Sequence, residues 1–181
     1  MSTAVLVIDV QQALCEPPLQ AHDCPGTIAR INAVTRKARA SAVPVIFVQH
    51  EAAGTTLEHG AAGWELARGL EQHPGDLRVR KTTPDAFLRT NLQALLDAHA
   101  VRSLVVCGMH SEFCVDTTVR QALARGYPVT LVSDGHTSMG NSAIAAPQVI
   151  AHHNATLANI QSFGPRVATV PAADLVLAPA R

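Results

Sequence analysis

The sequence predicts an α/β fold: a three-layer αβα sandwich around a mostly parallel six-stranded sheet. Three observations carry that expectation. Short aliphatic runs recur along the chain, segments of helical periodicity separate most of them, and turn-forming Gly, Pro, Asn and Asp punctuate the boundaries. Strands alternating with helices imply a parallel sheet covered on both faces. At 181 residues, 48% of them hydrophobic, the chain is long enough for one sizeable core, and residues 1–181 read as a single domain.

The first strand is expected within Ala4 to Val10, a β-branched and aliphatic run that ends in Asp9, Val10 and Gln11. No GxGxxG or GxxxxGK[ST] follows it, so the chain lacks the glycine loops that cradle a nucleotide's phosphates. Helical periodicity over Thr27 to Ser41 leads into a second run at Val43 to Gln49. From Gln49 to Asn91 the chain is rich in Gly, Ala and His, and only Leu77 to Val79 resembles a short strand. A connection of that length is unusual in a compact domain unless it has a role, so it reads as active-site wall or subunit contact. Asn91 to His99 follows as a helix, with Thr90 and Gln93 spaced as a capping box. The remaining strands are expected at Leu104 to Cys107, Val129 to Ser133 and Val167 to Val170. Between them lie helices at Cys114 to Arg125, closed by Gly126, and at about Ser142 to Asn159, where Pro147 marks the start or a kink.

The most informative stretch is LVVCGMHSEFCVDTTVRQAL, residues 104 to 123. Gly108 permits a tight exit from the strand, and Ser111 is the expected N-cap of the next helix. Cys114 then falls in the first helical turn, where unpaired N–H groups and the positive end of the dipole favour thiolate over thiol. The plain alternative is a buried structural cysteine. Ligands of open α/β sheets bind at the carboxyl ends of the strands, and Asp9, His50, Lys81 and Cys114 all lie at or just beyond such ends. A carboxylate buried there needs a partner, since an unpaired charge costs several kcal/mol. Lys81 is in position to supply it, and the pair to take a proton from Cys114 and steady its thiolate. The alternatives are a solvated basic stripe for Lys81 with Arg78 and Arg80, and an Asx-type turn for Asp9.

Composition narrows the partners. Lys plus Arg equals Asp plus Glu at 14 each, so no net field recruits nucleic acid or an anionic membrane surface. Aromatics are only 3% of the chain, too few for stacking along a single strand of nucleic acid. The N-terminal apolar run is interrupted by Asp9 and lacks a basic flank, so it reads as neither signal peptide nor membrane span, and a cytoplasmic protein is expected. Cysteines 15, 24, 107 and 114 show no CxxC spacing, and reduced thiols are the default.

The chain resembles the isochorismatase-like cysteine hydrolases, the superfamily that includes nicotinamidases, N-carbamoylsarcosine amidases, ureidoacrylate amidohydrolases and streptothricin hydrolases. The resemblance covers most of the chain: LVIDVQ at the first strand, VIFVQHE at the second, RKTTPDAF around the lysine, GMHSEFCVDTT at the cysteine, then GYPVTLVSDGHTS and AHHNATLANI. It implies a Rossmann-like sandwich and a triad of Cys114 as nucleophile, Asp9 as general base and Lys81 as supporting cation. It also implies a cis peptide just before His110, which turns the backbone N–H groups of His110 and Cys114 toward one oxyanion. Attack on an amide or ureido carbonyl would then release ammonia or an amine and leave a thioester for water to hydrolyse. A homo-oligomer, dimer or tetramer, is a further implication.

Two departures bear on the substrate. Asp85 stands where related sequences more often carry a small Ser, and Glu112 sits beside the cysteine. The second strand ends Gln49, His50, Glu51 without the Asp-x-His of zinc-dependent nicotinamidases, so no metal or other cofactor is expected, with His50 and His59 as the remnant pair. Trp64, Phe87 and Phe113 are the candidate apolar walls of the pocket, and Gln11 and Glu112 its polar groups, a Glu disfavouring anionic substrates by repulsion. Trp64 and Phe87 serve equally well as core or subunit contacts. The expected activity is cleavage of a C–N bond in a small amide, ureido or lactam substrate. The rivals are vinyl-ether hydrolysis of isochorismate, whose enzymes lack the cysteine, and a non-catalytic binding protein on the same fold.

Overall fold

The computed structural model describes residues 2–178. Six strands form one sheet: β1 (Thr3–Ile8), β2 (Val45–His50), β3 (Leu77–Lys81), β4 (Ser103–Met109), β5 (Val129–Thr137) and β6 (Val167–Val170). Their order is β3-β2-β1-β4-β5-β6 and every pairing is parallel, so the sheet is wholly rather than mostly parallel. Five helices connect and cover them: α1 (Gln12–Cys15), α2 (Cys24–Ala40), α3 (Leu92–Ala98), α4 (Asp116–Ala124) and α5 (Ala146–Ala158).

The period-2 alternation of β1 divides the core. Ala4, Leu6 and Ile8 pack with Leu92 and Leu96 of α3, Val119 and Leu123 of α4 and Leu157 of α5. Val5 and Val7 face the opposite way, onto Ile31, Val34 and Ala38 of α2 and onto Ala172 and Leu175 of the C-terminal segment. Both faces of the central strands are therefore apolar, which is why they read as unbroken aliphatic runs. Among the described residues no helix is long and apolar enough to cross a membrane.

Several local expectations are corrected. Strand β5 runs on to Thr137 through Asp134, Gly135 and His136, past a register shift against β4, and polar residues there concealed it as strand. Gly108 lies inside β4 at φ +123°, not in an exit turn; a Cβ there would stand 2.1 Å from the Ile8 carbonyl oxygen, so only glycine lets β4 approach β1. No capping box forms at Thr90 and Gln93: Asn91 is the N-cap of α3, the Thr90 hydroxyl accepts from the Leu92 N–H, and the Gln93 amide donates to Tyr127 Oη. Nor does Ser111 cap a helix. Residues Ser111–Val115 form a π-helical turn, with the Val115 N–H donating to the His110 carbonyl at 3.2 Å, and α4 begins only at Asp116.

Candidate active site

The strand order reverses between β1 and β4, and the candidate residues gather at the carboxyl ends around that crevice. Asp9 follows β1 in the left-handed region at φ 51°, which Asp tolerates better than most residues. His50 closes β2 and Lys81 closes β3, each in register with the other. The turn carrying Cys114 follows β4. Lys81 comes from the edge strand, two strand spacings of about 4.8 Å from β1, a gap that a long side chain can span toward Asp9.

Lys81 Nζ is the hub. It donates to Asp9 Oδ2 at 2.7 Å, to His50 Nδ1 at 3.2 Å and to Cys114 Sγ at 3.2 Å. Three N–H groups thus meet three acceptors, and the lysine side chain is 0% exposed. Asp9, His50 and Cys114 each bring a ligand-type atom within 4.8 Å of the others, the kind of set that could hold a metal ion, but the cation they face in this chain is the lysine ammonium. Asp9 Oδ1 is buried without a hydrogen-bond partner in its own right and is left to accept the thiol proton.

The surroundings of the thiol oppose its ionisation. Burial, reinforced by the Asp9 charge, pushes Cys114 up to about 12 against the opposing pull of Lys81. The expected position in the first turn of a helix is corrected: the half-buried cysteine sits in a π-helical turn ahead of α4 and beside a carboxylate, and burial and that carboxylate both work against the thiolate. Burial lowers the imidazoles of His50, where Lys81 adds to the effect, and of His110 and His136, so all three favour the neutral form.

These three depressed imidazoles give a stability prediction with a definite sign. Above the ordinary histidine value of about 6.5 they are neutral folded and unfolded, and contribute no pH dependence. As pH falls through that value the unfolded chain takes up protons before the folded one, so stability declines toward the folded-state values. The melting temperature is expected to drop between pH 7.5 and pH 5.5, where carboxylates hardly titrate, and His136→Gln to flatten that slope. An equal melting temperature at both pH values would contradict it.

A cavity of about 240 Å³ opens over the sulfur. Its polar lining is Asp9, His50, His110 and Cys114; Leu14, Leu57, Pro84 and Phe113 form its apolar walls. The Met109–His110 peptide is cis. Of the residues expected to bind substrate, only Phe113 lines this cavity. Gln11 is a clamp instead: its amide donates to the carbonyls of His50 and Trp64 at 2.9 Å and accepts from the His50 N–H at 2.9 Å, which engages both of its N–H groups, and the residue has no exposed surface. Phe87 is a core residue, 6% exposed, stacked on Tyr127. Trp64 serves through its carbonyl, which also accepts from Gln49, while its ring lies edge-on to His59 at 4.6 Å. Glu112 Oε1 accepts from the Ser138 hydroxyl at 2.7 Å, outside the cavity lining. Asp85 accepts from the Phe87 N–H at 2.7 Å.

The sequence reading missed what holds the cysteine turn. Ser111 Oγ and His136 Nδ1 lie 2.7 Å apart, and His136 Nε2 faces Asn154 Oδ1 at 3.0 Å, so β5 and α5 brace the start of the turn. The signal was the His136-Thr137-Ser138 sequence, polar residues ending an aliphatic strand where the ligand crevice lies. Leu57 and Pro84 were also missed, although the long segment that carries them was read as wall.

Comparison with known proteins bears on the family and the fold. The Isochorismatase domain model matches residues 3–170. A streptothricin hydrolase from Streptomyces noursei is 35% identical over 185 aligned residues, covering 98% of this chain and 67% of that protein. The ureidoacrylate amidohydrolase RutB from Agrobacterium fabrum is 28% identical over 205 residues, covering 93% of this chain and 86% of that protein. Among solved structures, an isochorismatase from Pseudomonas putida KT2440 superposes with a TM-score of 0.87 at 28% identity, covering 96% of this chain and 90% of that one. The six-stranded α/β sandwich, a family model that spans residues 3–170 and a 35% identical relative along 98% of the chain together mean that this protein belongs to the isochorismatase family.

Proposed function

We propose that the protein is a cysteine-dependent amidohydrolase that cleaves a C–N bond of a small amide, ureido or lactam substrate through a thioester on Cys114. The observation that carries this reading is the Lys81 ammonium held between Asp9 Oδ2 and Cys114 Sγ. Asp9 acts as general base: its free oxygen takes the thiol proton, Lys81 stabilises the thiolate so formed, and sulfur then attacks the carbonyl and passes the charge to its oxygen. The backbone N–H groups of His110 and Cys114 are assigned to the oxyanion of the tetrahedral intermediate. Asp9 then returns the proton to the leaving nitrogen, ammonia or an amine departs, and water hydrolyses the thioester by the same base. The names of the streptothricin and ureidoacrylate hydrolases, both similar to this chain, support C–N bond cleavage as the reaction class.

The test is a panel of primary amides, ureido acids, lactams and isochorismate, assayed for ammonia or amine and for pyruvate. Rapid acid quench followed by peptide mapping should place an acyl adduct on Cys114 during turnover of an amide. Pyruvate from isochorismate with no release of ammonia or amine from any other compound would overturn the reading.

A further inference from the structure

We propose that the cavity over Cys114 selects uncharged amides with a compact apolar acyl group and rejects those that carry a carboxylate near the reacting carbonyl. This rests on the amidohydrolase reading and names its substrate class. A carboxylate taken out of water is held best by a cation with a free donor, and among the described residues the cavity lining offers none. The ammonium of Lys81 has all three N–H groups engaged by Asp9, His50 and Cys114. Among the described residues no arginine lines the cavity; Arg78 is held by Gln49 and Gln72, and Arg80 by Glu51. The two imidazoles in the lining, His50 and His110, both favour the neutral form because they are buried.

The surrounding charge points the same way. Lys81 balances Asp9, whereas the carboxyl group of Glu112 has only the Ser138 hydroxyl on Oε1, and its Oε2 is buried with no hydrogen-bond partner. Glu112 lies close enough to His110 for its charge to act on that imidazole. An anion entering the cavity would thus meet apolar walls, with no desolvated cation to replace its lost water. An uncharged amide meets what it needs. Leu14, Leu57, Pro84 and Phe113 accept its acyl group, and His110 Nε2, buried and unpartnered in the lining, supplies a polar contact. At about 240 Å³ the cavity is below the usual range for drug-sized ligands, which limits the acyl group to a few heavy atoms.

Iodoacetamide and iodoacetate test this directly, since they match in size, differ in charge and alkylate the same sulfur. In both, sulfur displaces iodide as the S–C bond forms, and Asp9 takes the thiol proton. The ratio of the two rates at Cys114, read by peptide mapping and divided by the same ratio for 2-mercaptoethanol, should favour iodoacetamide at least about tenfold. Glu112→Gln should narrow that preference. A normalised ratio near one, or in favour of iodoacetate, overturns the proposal. Binding of butyramide and succinamate to the Cys114→Ala protein, by calorimetry, needs no reactive thiol and gives the second reading. Butyramide should bind more tightly, and equal affinities, including no binding of either, count against the proposal. Amide turnover without charge selection would sink this inference alone; charge selection without any C–N cleavage would sink the amidohydrolase reading alone.

Discussion

Replacing Lys81 by Met is expected to destabilise the fold by about 3–5 kcal/mol and to abolish turnover, because it strands a buried carboxylate. Asp9 is 1% exposed and Lys81 2%, so neither can turn to water for the interaction it loses. Met fills a volume close to that of the lysine stem, which leaves the charge as the main change. The double variant Asp9→Asn/Lys81→Met is expected to recover most of the stability, since exchanging a whole buried ion pair for neutral groups is often nearly neutral, and to recover none of the activity. Urea denaturation of the wild type, both single variants and the double variant measures the coupling. A Lys81→Met protein within about 1 kcal/mol of wild type, or a double variant no more stable than the single, would mean that the pair is not the electrostatic unit described above.

Cys114→Ala should leave a folded protein with turnover reduced by roughly 10⁴-fold or more, on the scale seen when a catalytic nucleophile is removed. The sulfur is only one of three acceptors around Lys81 and Cys114 is half-buried, so the stability cost should stay near 1 kcal/mol. The split between a large kinetic and a small stability effect is the diagnostic feature, because a structural cysteine would lose both in proportion. Undiminished hydrolysis by the alanine variant, on a substrate the wild type cleaves, would end the thioester mechanism. Because the Asp9 charge helps to hold the thiol up while Lys81 pulls it down, Asp9→Asn should speed alkylation of Cys114 at neutral pH while abolishing turnover for want of the base, a split that iodoacetamide labelling and peptide mapping would read.

Much of the architecture was legible because local pattern encodes which face of an element is buried. The unbroken aliphatic runs of β1, β2 and β4 could be stable only with both faces covered, and the intervening 3.6-residue periodicity supplied the covers. Asp9 and Lys81 stood out as charged residues at strand ends, and Cys114 as a thiol in the segment that follows one, where α/β sheets bind ligands. Boundaries drifted where polar residues stay in strand, as at Asp134 to Thr137, or where one hydrogen-bond pattern passes into another, as at Ser111 to Val115.

What only the tertiary structure decided was which distant residues meet, and in what dielectric. Lys81 and Asp9 are 72 positions apart, and the strand order that sets them two spacings apart has no local signature. Packing also set the chemistry. The same Cys114 that a helix start would make acidic is made a weak acid by burial and by Asp9. Gln11 and Phe87, chosen from sequence as substrate contacts, were taken up by the fold, one hydrogen-bonding the end of β2 and the other filling the core beside Tyr127. Residue type states what a side chain is able to do, but burial and partners come from contacts remote in sequence, and these determined which of those capacities remained free at the site.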